Sequence, residues 1–275
     1  MADAFRERSL LVYAGAIGFH AFAALIGLTL LTLAVLPAIG QEDLWNEHVA
    51  PLVAAKVTAP TYAAITAAVD KIFTERSAGL IAFAAAFGVW EVSRGVRIVG
   101  LAINAITGDR ENRPLWRRVA ASLALAVVVI VCIALALGAV LVLGRAIASS
   151  GGVLHSLLAL LRWPLGAVFL GLAVGLVANY APVRSHGSRW ATWGATLTVV
   201  AWLVESAIFA FYVSRIADYR SAAGNLLLFL VVSGYLYVSA IVFLVGMQLD
   251  ELLQADSGGE APHILTAILG RSRPR

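Results

Sequence analysis

Six long apolar blocks decide what this chain can fold into. They run at about 9–39, 78–105, 119–143, 157–180, 190–213 and 223–249. Each is close to or above the ~20 residues that a helix needs to cross a bilayer. The chain is 61% hydrophobic and 13% charged, whereas globular domains are about 45–50% apolar and about 25% charged. One soluble core cannot absorb that excess. The expected fold is therefore all-α, a polytopic membrane protein with six transmembrane helices (residues 9–249) and no separate soluble domain.

The polar connections set the orientation. Residues 1–8 are short and polar, with Arg6 and Arg8 ahead of the first block. That block exceeds the ~7–15 residues of a signal-peptide core, so it reads as an uncleaved first span. Lys and Arg number eight on segments 1–8, 106–118 and 181–189, against six on the longer total of 41–77, 144–153 and 214–222. The positive-inside rule then puts the N-terminus and the 250–275 tail in the cytoplasm, and 41–77 outside, in the periplasm.

The 41–77 connection is broken by Pro51 and Pro60. After Pro60, Tyr62, Ile65, Val69, Ile72 and Phe73 recur at helical spacing, while Thr66, Asp70, Lys71 and Glu75 take other faces. This is an amphipathic helix, lying at the outer interface or capping the bundle. Gly151-Gly152 marks a tight outer turn, and 214–222, with Asp218 and Arg220, another. Gly171 and Gly175 have the spacing that lets two membrane helices approach closely. Cys132 stands alone in an apolar block and reads as a packing residue.

Charge inside the second block is the best functional lead. Glu91, Arg94 and Arg97 fall within about 120° of one helical face, and Glu91 and Arg94, one turn apart, can pair. A charge deep in a bilayer costs at least a few kcal/mol, so it faces a partner or a wet cavity. His20 lies mid-way along the first block and Glu205 deep in the fifth. His20 is either a packed histidine bonded to a neighbouring helix or a titrating group facing the second-block charges.

Together His20, Glu91, Arg94, Arg97 and Glu205 are the candidate lining of a polar path. The arginines can hold a phosphate or carboxylate headgroup with several donors, and Glu91 or Glu205 can neutralise an empty site. The competing reading is an internal ion-pair network that fixes helix register, with Arg97 reaching for the inner interface.

Nothing in the motifs calls for an enzyme, a metal or a cofactor. There is no HxH, HExxH, G-x-S-x-G, CxxC or GxxxxGK[ST], and a nuclease would need clustered carboxylates or histidines holding metal. The acids of the inside segments form no such cluster, and Asp250-Glu251 reads as a solvated helix end. The net charge of +4, with arginines flanking apolar blocks, suits anionic lipid headgroups rather than nucleic acid. A homo-oligomer is compatible with this pattern.

Several stretches resemble the YihY/BrkB family of bacterial inner-membrane proteins. In the second block, Trp90, Ser93-Arg94-Gly95-Val96-Arg97 and Ala102-Ile103-Asn104 are similar to the family's Trp…Ser-Arg-Gly…Leu-Asn stretch. The loop Asp109 to Arg118, centred on Arg113-Pro114-Leu115-Trp116, resembles its charged inside loop. Tyr180-Ala181-Pro182, Gly194-Ala195, Trp202 and Tyr212-Val213-Ser214 match its fourth-to-fifth-span region. Tyr219…Gly224, Leu236-Tyr237-Val238-Ser239-Ala240 and Gly246-Met247-Gln248-Leu249-Asp250 match its sixth span.

The chain departs from the pattern at Ala24 and Gly27, where the family has Ser-x-x-Pro. It departs again at Tyr235 in place of Trp, at Gln248 in place of an acid, and at Glu91, which the pattern lacks. The resemblance implies a six-span inner-membrane protein acting in the cell envelope, with transport or flipping of lipid-linked material the usual suggestion. Some members carry the label ribonuclease BN. The expectation is a transporter or translocator of an anionic, lipid-like or amphiphilic envelope component. A membrane scaffold is the alternative, and a nuclease comes last.

Overall fold

A computed structural model describes residues 9–149, 152–183, 193–215 and 222–257, and among these every regular element is helical. The helices are α1 (Leu10–Val35), α2 (Ala50–Ala54), α3 (Ala59–Glu75), α4 (Ala78–Thr107), α5 (Leu115–Ser149), α6 (Gly152–Tyr180), α7 (Trp193–Arg215) and α8 (Ala222–Ser257). A 3₁₀ turn, Pro37–Ile39, and a wide turn of π-helix, Leu44–Val49, join α1 to α2. The expectations resting on Arg6, Arg8, Gly151, Arg184, Arg189, Asp218, Arg220 and the tail beyond Ser257 lie outside the described residues.

Among the described residues four stretches are long and apolar enough to cross a membrane: Leu10–Ile39, Ala78–Thr107, Leu115–Ala139 and Phe229–Leu253. Pro164–Tyr180 and Leu197–Val213 are apolar but shorter. Large apolar side chains stand exposed along the long helices, among them Val12, Phe19, Phe83, Leu137, Val168, Leu203 and Leu230. In water so much exposed apolar surface marks an interaction or aggregation face; against acyl chains it needs no cover. The helices outrun the apolar blocks. At 35 residues, α5 is about 50 Å long, against ~30 Å of hydrocarbon. Its first turn therefore begins at Leu115, ahead of the apolar run at 119, and carries Trp116, Arg117 and Arg118.

The bundle is built on α1, α4 and α8. α4 packs on α1, α8, α5 and α6; α5 pairs with α6, and α7 packs on α8. The main core, at the Leu10/Thr107 end, joins Leu10, Ala14, Val99, Ile103, Ile106, Phe243, Leu244 and Met247. Hydrocarbon provides no hydrophobic drive between helices, so close backbone approach and interhelical hydrogen bonds hold them together. A Cβ on Gly27 of α1 would sit 3.0 Å from Gly88 Cα of α4. At the α7–α8 crossing a Cβ on Gly194 would collide with the Gly246 carbonyl. Hydroxyls bridge elsewhere: Ser93 to Ser122 at 2.9 Å, and Ser206 to Tyr235 at 2.9 Å.

The glycine spacing at 171–175 does not make such a contact at Gly171. A Cβ there meets nothing within 4 Å. Spacing alone does not say which face of a helix is turned to a neighbour, and α6 turns Gly171 away.

The 41–77 segment folds over one end of α1. Thr58 caps α3, its hydroxyl accepting from the Thr61 amide at 3.4 Å, and Pro60 occupies the first turn, where it costs no hydrogen bond. Trp45, Ala50 and Val69 are buried, with Tyr62, Ile65, Phe73, Leu33 and Leu36 packed around them. Arg76 closes α3 in a left-handed conformation (φ 40°) and donates to Glu42 at 2.9 Å. Lys56 Nζ donates to the Val213 carbonyl of α7 at 3.2 Å.

Candidate anion-binding groove

α4 carries Arg94, Arg97, Ile98 and Leu101 on one face, at i, i+3, i+4 and i+7. Its neighbour α5 begins at Leu115, immediately after Pro114, which cannot continue a helix backwards. Leu115, Arg118 and Val119 then face α4 from the first turn of α5. With His20 of α1 these residues line a groove of about 360 Å³. Three guanidiniums line it and no carboxylate does. The partial positive charge at the α5 N-terminus adds to theirs.

The three arginines are held differently. Arg94 is exposed and has no ion pair among the described residues. Arg97 is half-buried, with its guanidinium carbon 5.7 Å from the centre of the Trp90 ring; the charges acting on it are those of Arg94 and Arg118. Arg118 Nε lies 3.8 Å from Glu111 Oε2, too long for a hydrogen bond, and is buried with that donor unused.

Glu91 does not pair with Arg94. Its Oε2 lies 2.7 Å from His20 Nδ1 across the α1–α4 contact, both residues being 7% exposed. The reason is packing. Glu91 points into the α1–α4 seam, and Arg94, 300° further round α4 by helical geometry, points out of it. His20 is thus a packed histidine bonded to a neighbouring helix, and the group it meets there is the second-block acid.

Glu205 is not brought to this groove. It lies on α7, where its Oε2 accepts from Ser239 Oγ of α8 at 3.1 Å. The sequence-predicted set thus divides: His20, Glu91, Arg94 and Arg97 come together around α4, and Glu205 stands on another helix pair.

A latch stands beside the groove, sharing Arg97 and Arg118 with it. Arg113 grips Glu111 with two donors, each at 3.0 Å, and its Nη2 also donates to the Ala181 carbonyl at 3.0 Å. Arg113 holds the Glu111 carboxyl below the ordinary carboxylate range, chiefly through its side-chain hydrogen bonds. Asn104, 3% exposed, accepts from the Val183 amide at 3.0 Å and donates to Glu111 at 3.4 Å. Gly108, with φ 77°, ends α4 in the left-handed conformation that glycine adopts without strain, and the Asp109 amide returns to the Asn104 carbonyl.

Arg118, Glu111 and Arg113 are the residues that sequence reasoning left out of the site. The available signal was Pro114-Leu115: a proline directly before an apolar residue is a helix start, which puts Arg118 one turn inside α5 on the side of Leu115. Among the described residues no three His, Cys, Asp or Glu side chains converge as a metal site would need.

Set against known proteins, the chain finds relatives by sequence and none by solved structure. No solved structure matches it. It is 24% identical over 187 residues to the ribonuclease-like protein YfkH of Bacillus subtilis (strain 168), a match covering 65% of this chain and 67% of that protein. The pattern of the family described as Virulence factor BrkB matches residues 1–266. That match takes in all six long apolar blocks and the whole Arg94–Arg97–Arg118 groove, so this multi-pass membrane protein belongs to the BrkB family.

Proposed function

We propose that this protein crosses a bacterial inner membrane six times, with both termini in the cytoplasm, and moves an anionic, lipid-like or amphiphilic envelope component. The observation that carries this reading is the groove lined by Arg94, Arg97 and Arg118 and by no carboxylate. Guanidinium groups bind phosphate and carboxylate with paired donors. Among the described residues Arg94 and Arg97 make no ion pair and Arg118 makes only a long one, to Glu111 at 3.8 Å, so an entering anion would relieve the repulsion among the three. The groove's other walls, Ile98, Leu101, Leu115 and Val119, suit the carbon chain that follows a headgroup.

The test is transport in reconstituted vesicles. Wild-type protein should speed the movement of a fluorescent anionic phospholipid between leaflets, and Arg94→Glu should abolish the gain in protein that inserts at normal levels. Full activity in that variant refutes the reading.

The name of the Bacillus relative raises RNA hydrolysis as a competitor. It predicts EDTA-sensitive turnover of RNA by the purified protein; the transport reading predicts none. A scaffold predicts instead that deleting the 41–77 segment or the tail matters more than any groove charge.

A further inference from the structure

Glu205 belongs to a second, separate place in the bundle. An open groove of about 740 Å³ runs between α7 and α8, walled by apolar side chains such as Val204, Ile208, Val231 and Val238. Glu205 is its acid. Its Oε2 accepts from Ser239 Oγ at 3.1 Å, while Oε1 is buried without a hydrogen-bond partner. Among the described residues no Lys, Arg or His forms an ion pair with it.

Among the described residues the remaining titratable groups do not supply a charge. α7 packs on α8, and the groove's two tyrosines are Tyr212 of α7 and Tyr235 of α8. The Tyr235 hydroxyl is already engaged with Ser206 at 2.9 Å. Lys56 reaches α7 only at Val213, where its ammonium donates to the backbone carbonyl at 3.2 Å. That is eight residues, or ~12 Å, along the helix from Glu205.

An ionised carboxylate in an apolar groove with one hydroxyl donor and no cation is a costly species; such groups take up a proton instead. The observed contacts fit the neutral acid. Ser239 can donate to Oε2 in either protonation state, but only the neutral acid avoids leaving a charge on a carboxyl whose Oε1 has no donor. The geometry points to Glu205 as a proton-binding carboxyl, neutral at pH 7 and reached from the α7–α8 groove rather than from the arginine groove. Exposed Leu203, Val204 and Ile208 beside it make hydrocarbon its outer neighbour. The assignment stands whether or not the arginine groove holds an anion.

Infrared difference spectroscopy of the full chain in lipid vesicles, wild type minus Glu205→Gln at pH 7, tests it. The expected result is a protonated-carboxyl C=O band in wild type that is lost in the variant and gives way to a carboxylate band as pH rises. Absence of that band overturns the proposal. Stability gives a second reading, because glutamine copies the neutral acid and cannot copy an ion. Glu205→Gln should unfold within about 3 °C of wild type, and a much larger fall contradicts a neutral Glu205. Dicyclohexylcarbodiimide, which modifies protonated carboxyls from the lipid phase, should label Glu205; no adduct there contradicts access through the groove.

Discussion

His20 Nδ1 on α1 and Glu91 Oε2 on α4 lie 2.7 Å apart although 71 residues separate them in the chain. This contact turns Glu91 away from the arginines that follow it, and among the described residues Arg94 makes no ion pair. In the seam the histidine and the acid satisfy each other; in the groove beside it, among the described residues, Arg94 and Arg97 make no ion pair and Arg118 makes only a long one to Glu111.

Removing one partner of a buried pair strands the other. Glu91→Ala or His20→Ala alone should cost on the order of 3 kcal/mol, a fall of about 6–12 °C in unfolding temperature for a chain of this size. Replacing both with leucine should cost clearly less than the sum of the two. Thermal unfolding in detergent of the two singles and the double checks this.

The glycines divide by what they touch. Gly27→Leu should prise α1 from α4, since its first side-chain carbon already meets Gly88 Cα at 3.0 Å and Phe87 Cδ1 at 2.9 Å. A loss of folded protein, or an unfolding temperature well below wild type, is expected. Gly171→Ala meets nothing within 4 Å and should be neutral or slightly stabilising, because alanine is the better helix former.

The latch should be sensitive to acid. Glu111 has its carboxyl held below the ordinary range by Arg113. Its folded value is the lower one, so its contribution is complete above the ordinary value of about 4.3 and is lost as pH falls through the lowered one. Hydrogen exchange of the Ala181 and Val183 amides, corrected for intrinsic rate, should lose protection on acidification below about pH 4. Glu111→Gln should show the weaker protection already at pH 7.

Asp250 of α8 is not the solvated helix end expected from the sequence but caps α7 across the helix crossing: Gly194 N donates to its Oδ1 at 2.7 Å, and the residue is 2% exposed. Asp250→Ala removes that acceptor from a helix N-terminus and should cost about 1–2 kcal/mol. Asp250→Asn should cost less, because the amide oxygen still accepts. Chemical unfolding of the two variants orders them.

Much of this was legible from residue order alone. Hydropathy locates the long helices, because a helix in hydrocarbon needs a long apolar run. The apolar spacing of Tyr62, Ile65, Val69 and Phe73 locates α3 and the face it buries. The arginines of α4 announced themselves as charges in an apolar block. What could not be read was pairing between helices. Glu91 has Arg94 one turn away and His20 on another helix, and only the α1–α4 crossing decides between them. Arg118 escaped because the apolar run starts at 119, whereas the helix starts four residues earlier, in the polar zone. Gly171 and Gly27 look alike in sequence, since which face of a helix meets a neighbour is a tertiary fact. Glu205 drew attention as a deep acid, but its helix pair could not be known.

Lipid binding by the purified protein tests the central claim most directly. Native mass spectrometry should show phosphatidylglycerol held about tenfold or more tighter than phosphatidylcholine, the factor expected from charge-assisted hydrogen bonds worth ~1.5–3 kcal/mol. Arg94→Glu and Arg118→Glu should each erase that preference while His20 and Glu91 stay paired. Equal binding of the two lipids by wild type, or an undiminished preference in both variants, would contradict an anion site between α4 and α5.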